Sequence, residues 1–305
     1  MDETENNTGP YVALIAAQVF FGSLPVIGKV VLQTVPPVAL VGFRVGITAL
    51  VLFIFQLVRR RLWLQFKGDY WRLAVLSIFG VTFNQLLFTT GLSLTKASNT
   101  SLLAVTIPIF ALTAGAITGF EKLVAVKIVG ITLAAIGVII IIDPRNASFS
   151  SQTTLGDILI VLNSLSYGIY VAISKPVIMR NGPFRSMMWI FVFASIICVP
   201  LGVWSFSTID ANAITPFIWL LIIHIALVAT AVPYLLNAAA LAKVRPSTVA
   251  VFVYMQPLIG FLLAVAFLSE RIDFTFIIAA ALVFAGVFLV SRKFGSTETE
   301  SLPVT

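Results

Sequence analysis

Charge is what this chain has least of. Asp, Glu, Lys and Arg make up 10% of its 305 residues, where soluble domains carry about a quarter. With 59% hydrophobic residues and a mean hydropathy of +1.07, it has too little polar surface to cover a soluble globule. The single cysteine, Cys198, lies in an apolar run, which excludes a disulfide framework or a cysteine metal cluster. No Asp or Glu falls in the core of an apolar run, which argues against a carboxylate-based proton or sodium relay of the usual kind. HExxH, paired intramembrane aspartates and a Gly-flanked serine turn to serve His224 are all missing. An intramembrane enzyme is therefore the least supported reading, and no cofactor is expected. The opening MDETENNTGP has no basic segment, so no cleavable signal peptide is expected. Asn-x-Ser/Thr triplets at Asn6, Asn99 and Asn146 are too short to carry weight.

What the chain does have is long apolar runs. A helix needs about 20 such residues to cross the hydrocarbon. Ten runs fit, near 11–32, 36–57, 71–94, 98–119, 124–142, 156–178, 184–206, 216–241, 246–267 and 275–291. The longest connection, 143–155, is polar and turn-rich, and divides the chain into 11–142 and 156–291. Of the 19 basic residues, Lys96, Arg145 and Arg271 fall on one side, Lys29 and Arg44 fall within helices, and the remaining fourteen fall on the other side. That bias puts both termini in the cytoplasm. The net charge of +7 is thus a topology signal, and nucleic acid is not an expected partner.

Residues 96–138 and 245–287 repeat one pattern at a constant offset of 149. Ser98 matches Ser247, Pro108 matches Pro257, Glu121 matches Glu270, and Gly137-Val138 match Gly286-Val287. Gly22 and Lys29 match Gly168 and Lys175 at an offset of 146. Five helices per half is an odd number, so the second half enters the membrane inverted. Many secondary transporters are built in this way. The expected fold is an all-α polytopic membrane protein of ten transmembrane helices in two inverted five-helix repeats.

ASNTSLLAVTIPIFAL (Ala97 to Leu112), Glu121-Lys122, the second copy from Pro246 to Val287, Gly22–Lys29 and Arg44 together resemble the EamA-type members of the drug/metabolite transporter superfamily. The resemblance spans nearly the whole chain. It implies two EamA repeats, peripheral fifth and tenth helices, a cytoplasmic membrane, and export of amino acids or other small metabolites. It does not fix the cargo.

Candidate binding residues are the polar groups within the runs. Arg44, roughly 12 Å into helix two, could hold a cargo carboxylate or phosphate, or brace neighbouring helices. Lys29 shares a face with Gln18, Gly22 and Pro25, and could line a cavity or reach the interface. Asn163, Tyr167, Tyr170 and Ser174 form a polar-aromatic stripe on helix six, suited to a pocket or to interhelical bonding. Asn84 and Gln85 fall mid-helix three; His224, Tyr234 and Asn237 fall on helix eight; Tyr254 and Gln256 fall on helix nine. His224 could carry a proton or simply bond a neighbour. Pro108 and Pro257 should kink helices four and nine and free the carbonyls of Ala104 and Val253. Gly42/Gly46 and Gly115/Gly119 suit close helix packing, and Glu121 and Glu270 suit helix N-termini or nearby bases. The expected function is a secondary transporter of a small molecule, with its cargo between two rocking halves. A channel or a non-transporting receptor is the alternative, and the oligomeric state is left open.

Overall fold

The computed structural model describes residues 8–142, 153–210, 214–259 and 274–292. Asn6, Arg145, Asn146, Glu270, Arg271, Lys293 and most of the 143–155 connection lie outside them. The described residues form helices and short connections, with no strand among them. In chain order the helices are α1 (Gly9–Val31), α2 (Pro37–Val58), α3 (Gly68–Leu94), α4 (Asn99–Ile117), α5 (Ala125–Ile142), α6 (Thr154–Asn181), α7 (Pro183–Phe206), α8 (Pro216–Leu241), α9 (Pro246–Ile259) and α10 (Phe274–Ser291). Seven of them are long and apolar enough to span a bilayer; α5, α9 and α10 are shorter apolar helices. Prolines in the first turn start α1, α2, α7, α8 and α9, where the missing N–H would be unbonded anyway. Between α6 and α7 the chain reverses at Gly182, whose φ of 79° favours glycine. Large apolar side chains such as Ile117, Val58, Val26 and Trp204 face outward, as suits a multi-pass membrane protein surrounded by lipid.

Several helices are not regular throughout. α1 breaks at Ser23, whose hydroxyl donates to Phe20 O at 2.8 Å. α3 contains a π-helical turn at Ile78–Phe83 and α8 one at Leu227–Ala231. α4 is interrupted after Leu103, and α9 tightens to a 3-10 turn at Phe252–Tyr254. Both interruptions come one turn before a proline, where the ring removes a backbone donor. The π-turns begin 149 residues apart, at Ile78 and Leu227, and the interruptions 148 apart, at Ala104 and Phe252.

The sequence halves do not pack as halves. α6 lies against α3 and α4, while α1 lies against α8 and α9. The reason is glycine. Gly91 and Gly156 let α3 and α6 meet backbone to backbone: a Cβ on Gly156 would sit 3.0 Å from Gly91 O. Gly168 brings α6 onto Phe110 of α4. The rest of the molecule is two pairs, α2 with α7 and α5 with α10. In the first pair Gly42 and Gly202 touch, a Cβ on either lying 2.6 Å from the other's Cα. In the second, Gly137 faces Ala279 and Gly286 faces Gly130. These two contacts interchange when 149 is added or subtracted. Likewise Gly22 against Ile259 is matched by Gly168 against Phe110. α3/α4/α6 and α1/α8/α9 thus form two helix units, each drawing helices from both 11–142 and 156–291.

Candidate functional site

The seam between these two units is crossed by a series of buried side-chain hydrogen bonds, with further polar contacts beside it. The π-turns start it. A widened turn leaves carbonyls off the regular ladder, and side chains from neighbouring helices or from the turn itself take them. In α3, Phe79 O accepts from Ser166 Oγ at 2.7 Å and Gly80 O accepts from Tyr234 Oη at 3.0 Å. In α8, Ile225 O accepts from Thr230 Oγ1 and Ala226 O from Thr48 Oγ1, both at 2.8 Å. Gly80 has no side chain because the Tyr170 ring occupies that space.

Tyr234 is the centre of the seam. Its hydroxyl reaches Asn84 Oδ1 at 2.9 Å as well as Gly80 O, and accepts from Gln85 Nε2 at 3.2 Å. One proton serves the two acceptors in turn. The edges of Phe21 and Phe191 meet the Tyr234 ring at 5.7 and 5.2 Å. Asn84 O accepts from Asn163 Nδ2 at 2.8 Å. Asn237 Nδ2 donates to Tyr167 Oη at 3.0 Å, and Tyr254 Oη to Val105 O at 2.7 Å. The Val105 carbonyl lies at the interruption before Pro108. Gln256 Nε2 donates to Gln18 Oε1 at 2.8 Å.

Three buried polar atoms in this set have no hydrogen-bond partner: Gln18 Nε2, Gln85 Oε1 and Asn237 Oδ1. Each such atom costs about 1–3 kcal/mol until something satisfies it. They are one donor and two acceptors, and a small polar molecule presents complementary groups.

Arg44 stands beside the seam, 2% exposed. Its Nε and Nη2 donate to Thr230 Oγ1 at 3.1 and 2.9 Å, and its Nη1 to Thr89 Oγ1 at 3.5 Å. A guanidinium has five N–H groups, so two remain uncommitted. No carboxylate pairs with it among the described residues. A desolvated cation without a counter-ion costs several kcal/mol. Arg44 therefore braces α2 against α8 and α3 and also holds unspent capacity for an anion.

The other sequence candidates form no hydrogen bond with Tyr234 or its partners. Lys29 reaches outward to Thr95 O at 2.8 Å, joining the end of α1 to the end of α3. Tyr170 bonds Met187 Sδ at 3.7 Å. The Nε2 of His224, in the first segment of α8, is buried without a partner and joins none of these bonds.

Sequence reasoning missed Thr48, Thr89, Thr230 and Ser166. The one available signal was Thr48 at i+4 from Arg44, on the same face of α2. Glu121 meets both kinds of partner expected of it, a helix N-terminus and a nearby base, though the helix is the distant α9. Glu121 Oε1 accepts from Ser247 N at the start of α9, and Oε2 from Lys127 Nζ, both at 2.7 Å. Gly115 makes room for this, a Cβ there lying 3.3 Å from that of Glu121. At the same end Asp69 is held by Arg180 and Asn181 of α6 at 2.6 and 2.7 Å. At the opposite end Asp157 accepts from Thr95 and Asn99.

Comparison with known proteins agrees with this architecture. A family described as the EamA-like transporter family matches residues 8–143 and 154–292. An uncharacterized transporter of Archaeoglobus fulgidus is 25% identical over 268 residues, covering 87% of this chain and 91% of the relative. The uncharacterized transporter YetK of Bacillus subtilis is 23% identical over 291 residues, covering 93% and 87%. A solved crystal structure superimposes with a TM-score of 0.73 at 16% identity, covering 93% of this chain and 96% of that one, a likeness of fold.

Proposed function

Because the chain belongs to the EamA-like transporter family, we propose that it is a secondary transporter exporting small organic metabolites, amino acids among them, by alternating access. The observation that carries this reading is the seam. The bonds that cross it run from one end of the molecule to the other. Glu121 to Ser247 N lies at one end; Tyr254–Val105, Asn237–Tyr167 and Tyr234–Gln85 follow; Lys29–Thr95 O lies at the other. Each is a hydrogen bond that can be broken and remade. Opening one end breaks the bonds there while the middle holds cargo, and rocking the two units reverses this.

The reading includes ten crossings, two inverted repeats and cytoplasmic termini. The matched π-turns, the matched interruptions and the contacts that interchange at an offset of 149 support the repeats. The charge bias supports the orientation, with the Glu121 end in the cytoplasm. Cargo is assigned to Gln18, Gln85, Tyr167, Tyr234 and Asn237, whose uncommitted atoms and aromatic faces suit a small polar molecule. Arg44 favours one bearing a carboxylate or phosphate.

Metabolite profiling of medium and cytoplasm after overexpression tests this. The expected result is that a few compounds rise outside and fall inside, and that an Asn237→Leu variant at equal membrane level does not move them. Reconstituted protein should then show saturable flux with counterflow. Non-saturable flux would make it a channel, and no movement of any metabolite would remove the exporter reading.

A further inference from the structure

Beyond the last turn of α2 the chain carries a rim that none of these bonds use. Arg59, Arg60 and Arg61 are consecutive and exposed, and none has a carboxylate partner among the described residues. They follow directly on Val58, an apolar side chain 78% exposed. In a lipid-embedded protein that puts them at head-group depth. The segment that follows is fixed in place. Arg60 turns the backbone with φ 54°, Trp189 Nε1 donates to Leu62 O at 2.8 Å, and Leu64 N donates to Tyr70 Oη at 3.2 Å. The Tyr70 and Trp189 rings meet edge to face at 4.9 Å. Fixed in this way, Trp63 and Trp71 each stand 73% exposed. The acid of the segment, Asp69, adds no free negative charge, since its buried carboxylate is taken by Arg180 and Asn181.

A topology signal requires only positive charge. It does not require two indoles held outward beside the cations, and in water such side chains would be unfavourably exposed. We propose that this rim binds anionic phospholipid head groups, the arginines taking phosphates while the indoles lie at the level of the glycerol backbone. Indoles concentrate at that depth, and clustered bases next to a membrane helix attract anionic lipid by about fivefold per residue.

The test uses the full chain. Native mass spectrometry of protein equilibrated with equimolar phosphatidylglycerol and phosphatidylcholine should show preferential retention of phosphatidylglycerol. Nanodiscs containing phosphatidylglycerol should raise Tm above that in pure phosphatidylcholine. The combined variant Arg59→Gln, Arg60→Gln, Arg61→Gln should lose at least about tenfold in retention and lose the gain in Tm. Trp63→Ala should lose part of both, and Lys243→Gln, a base at another helix end, should lose neither. Should the triple variant fail to fold, the native protein decides alone: its preference should vanish in roughly 0.5 M salt, where exposed charges are screened. Equal retention of the two lipids would overturn the proposal. So would an equal Tm gain from inorganic phosphate in phosphatidylcholine nanodiscs, which would make the rim a site for free anions.

Discussion

The seam between α3/α4/α6 and α1/α8/α9 and the contacts within α2/α7 and α5/α10 are built from opposite materials. The seam is made of side-chain hydrogen bonds: Tyr234 with Gln85, Asn237 with Tyr167, Tyr254 with Val105 O, Glu121 with Ser247 N. The paired helices instead meet at glycines with their backbones in contact: Gly42 at Gly202, Gly130 at Gly286. The difference is mechanical. A hydrogen bond of about 1 kcal/mol net can be exchanged for one to water or cargo, whereas interlocked backbones cannot slide without opening a gap or a clash. We assign motion to the seam and the fixed frame to the glycine pairs.

The largest effect should come from the frame. Gly42→Val sets a Cβ 2.6 Å from Gly202 Cα. Overpacking of this kind costs about 3 kcal/mol, or roughly 10 °C in Tm. Gly286→Val should match it, and a thermal melt in which either is tolerated would break the contrast. Next is Asn237→Leu, which removes the bond to Tyr167 and an uncommitted acceptor. Flux should fall by about tenfold or more while Tm changes by only a few degrees. Third, replacing the ion pair as Glu121→Gln with Lys127→Met removes a salt bridge whose side chains are 1% and 5% exposed. Changing both partners avoids leaving one charge buried alone. The expected result is faster thiol labelling of Ser247→Cys, by about fivefold, as that end opens more often. The smallest effect should be that of Tyr234→Phe. The ring contacts with Phe21 and Phe191 remain, and loss of one hydroxyl should change KM by only about fivefold.

Much of this architecture was legible in the sequence, for physical reasons. Apolar runs must be helices where no water can satisfy the backbone, and the punctuation shared by residues 96–138 and 245–287 carried the family. The partners were less legible. Nothing in IFGVTF or LVATA marks a π-turn, because its residues are ordinary apolar ones. Thr230 gained its place from that turn and was passed over. Glycines such as Gly91 and Gly168 reveal that something comes close, but not which helix, so the exchange of α1 and α6 between units could not be read. Glu121 was read by sequence neighbourhood, and its Ser247 partner is 126 positions away.

The claim that the seam moves is tested most directly by locking it. In a Cys198→Ser background, Glu121→Cys and Ser247→Cys place thiols on α9 and on the segment after α4 at one end of the seam. A cleavable bifunctional thiosulfonate reagent is applied to protein in proteoliposomes. If the seam moves, both sites react during turnover, cross-linking reduces flux to background, and reductant restores it in the same sample. Flux unchanged at complete cross-linking, or thiols that never react during turnover, would contradict it.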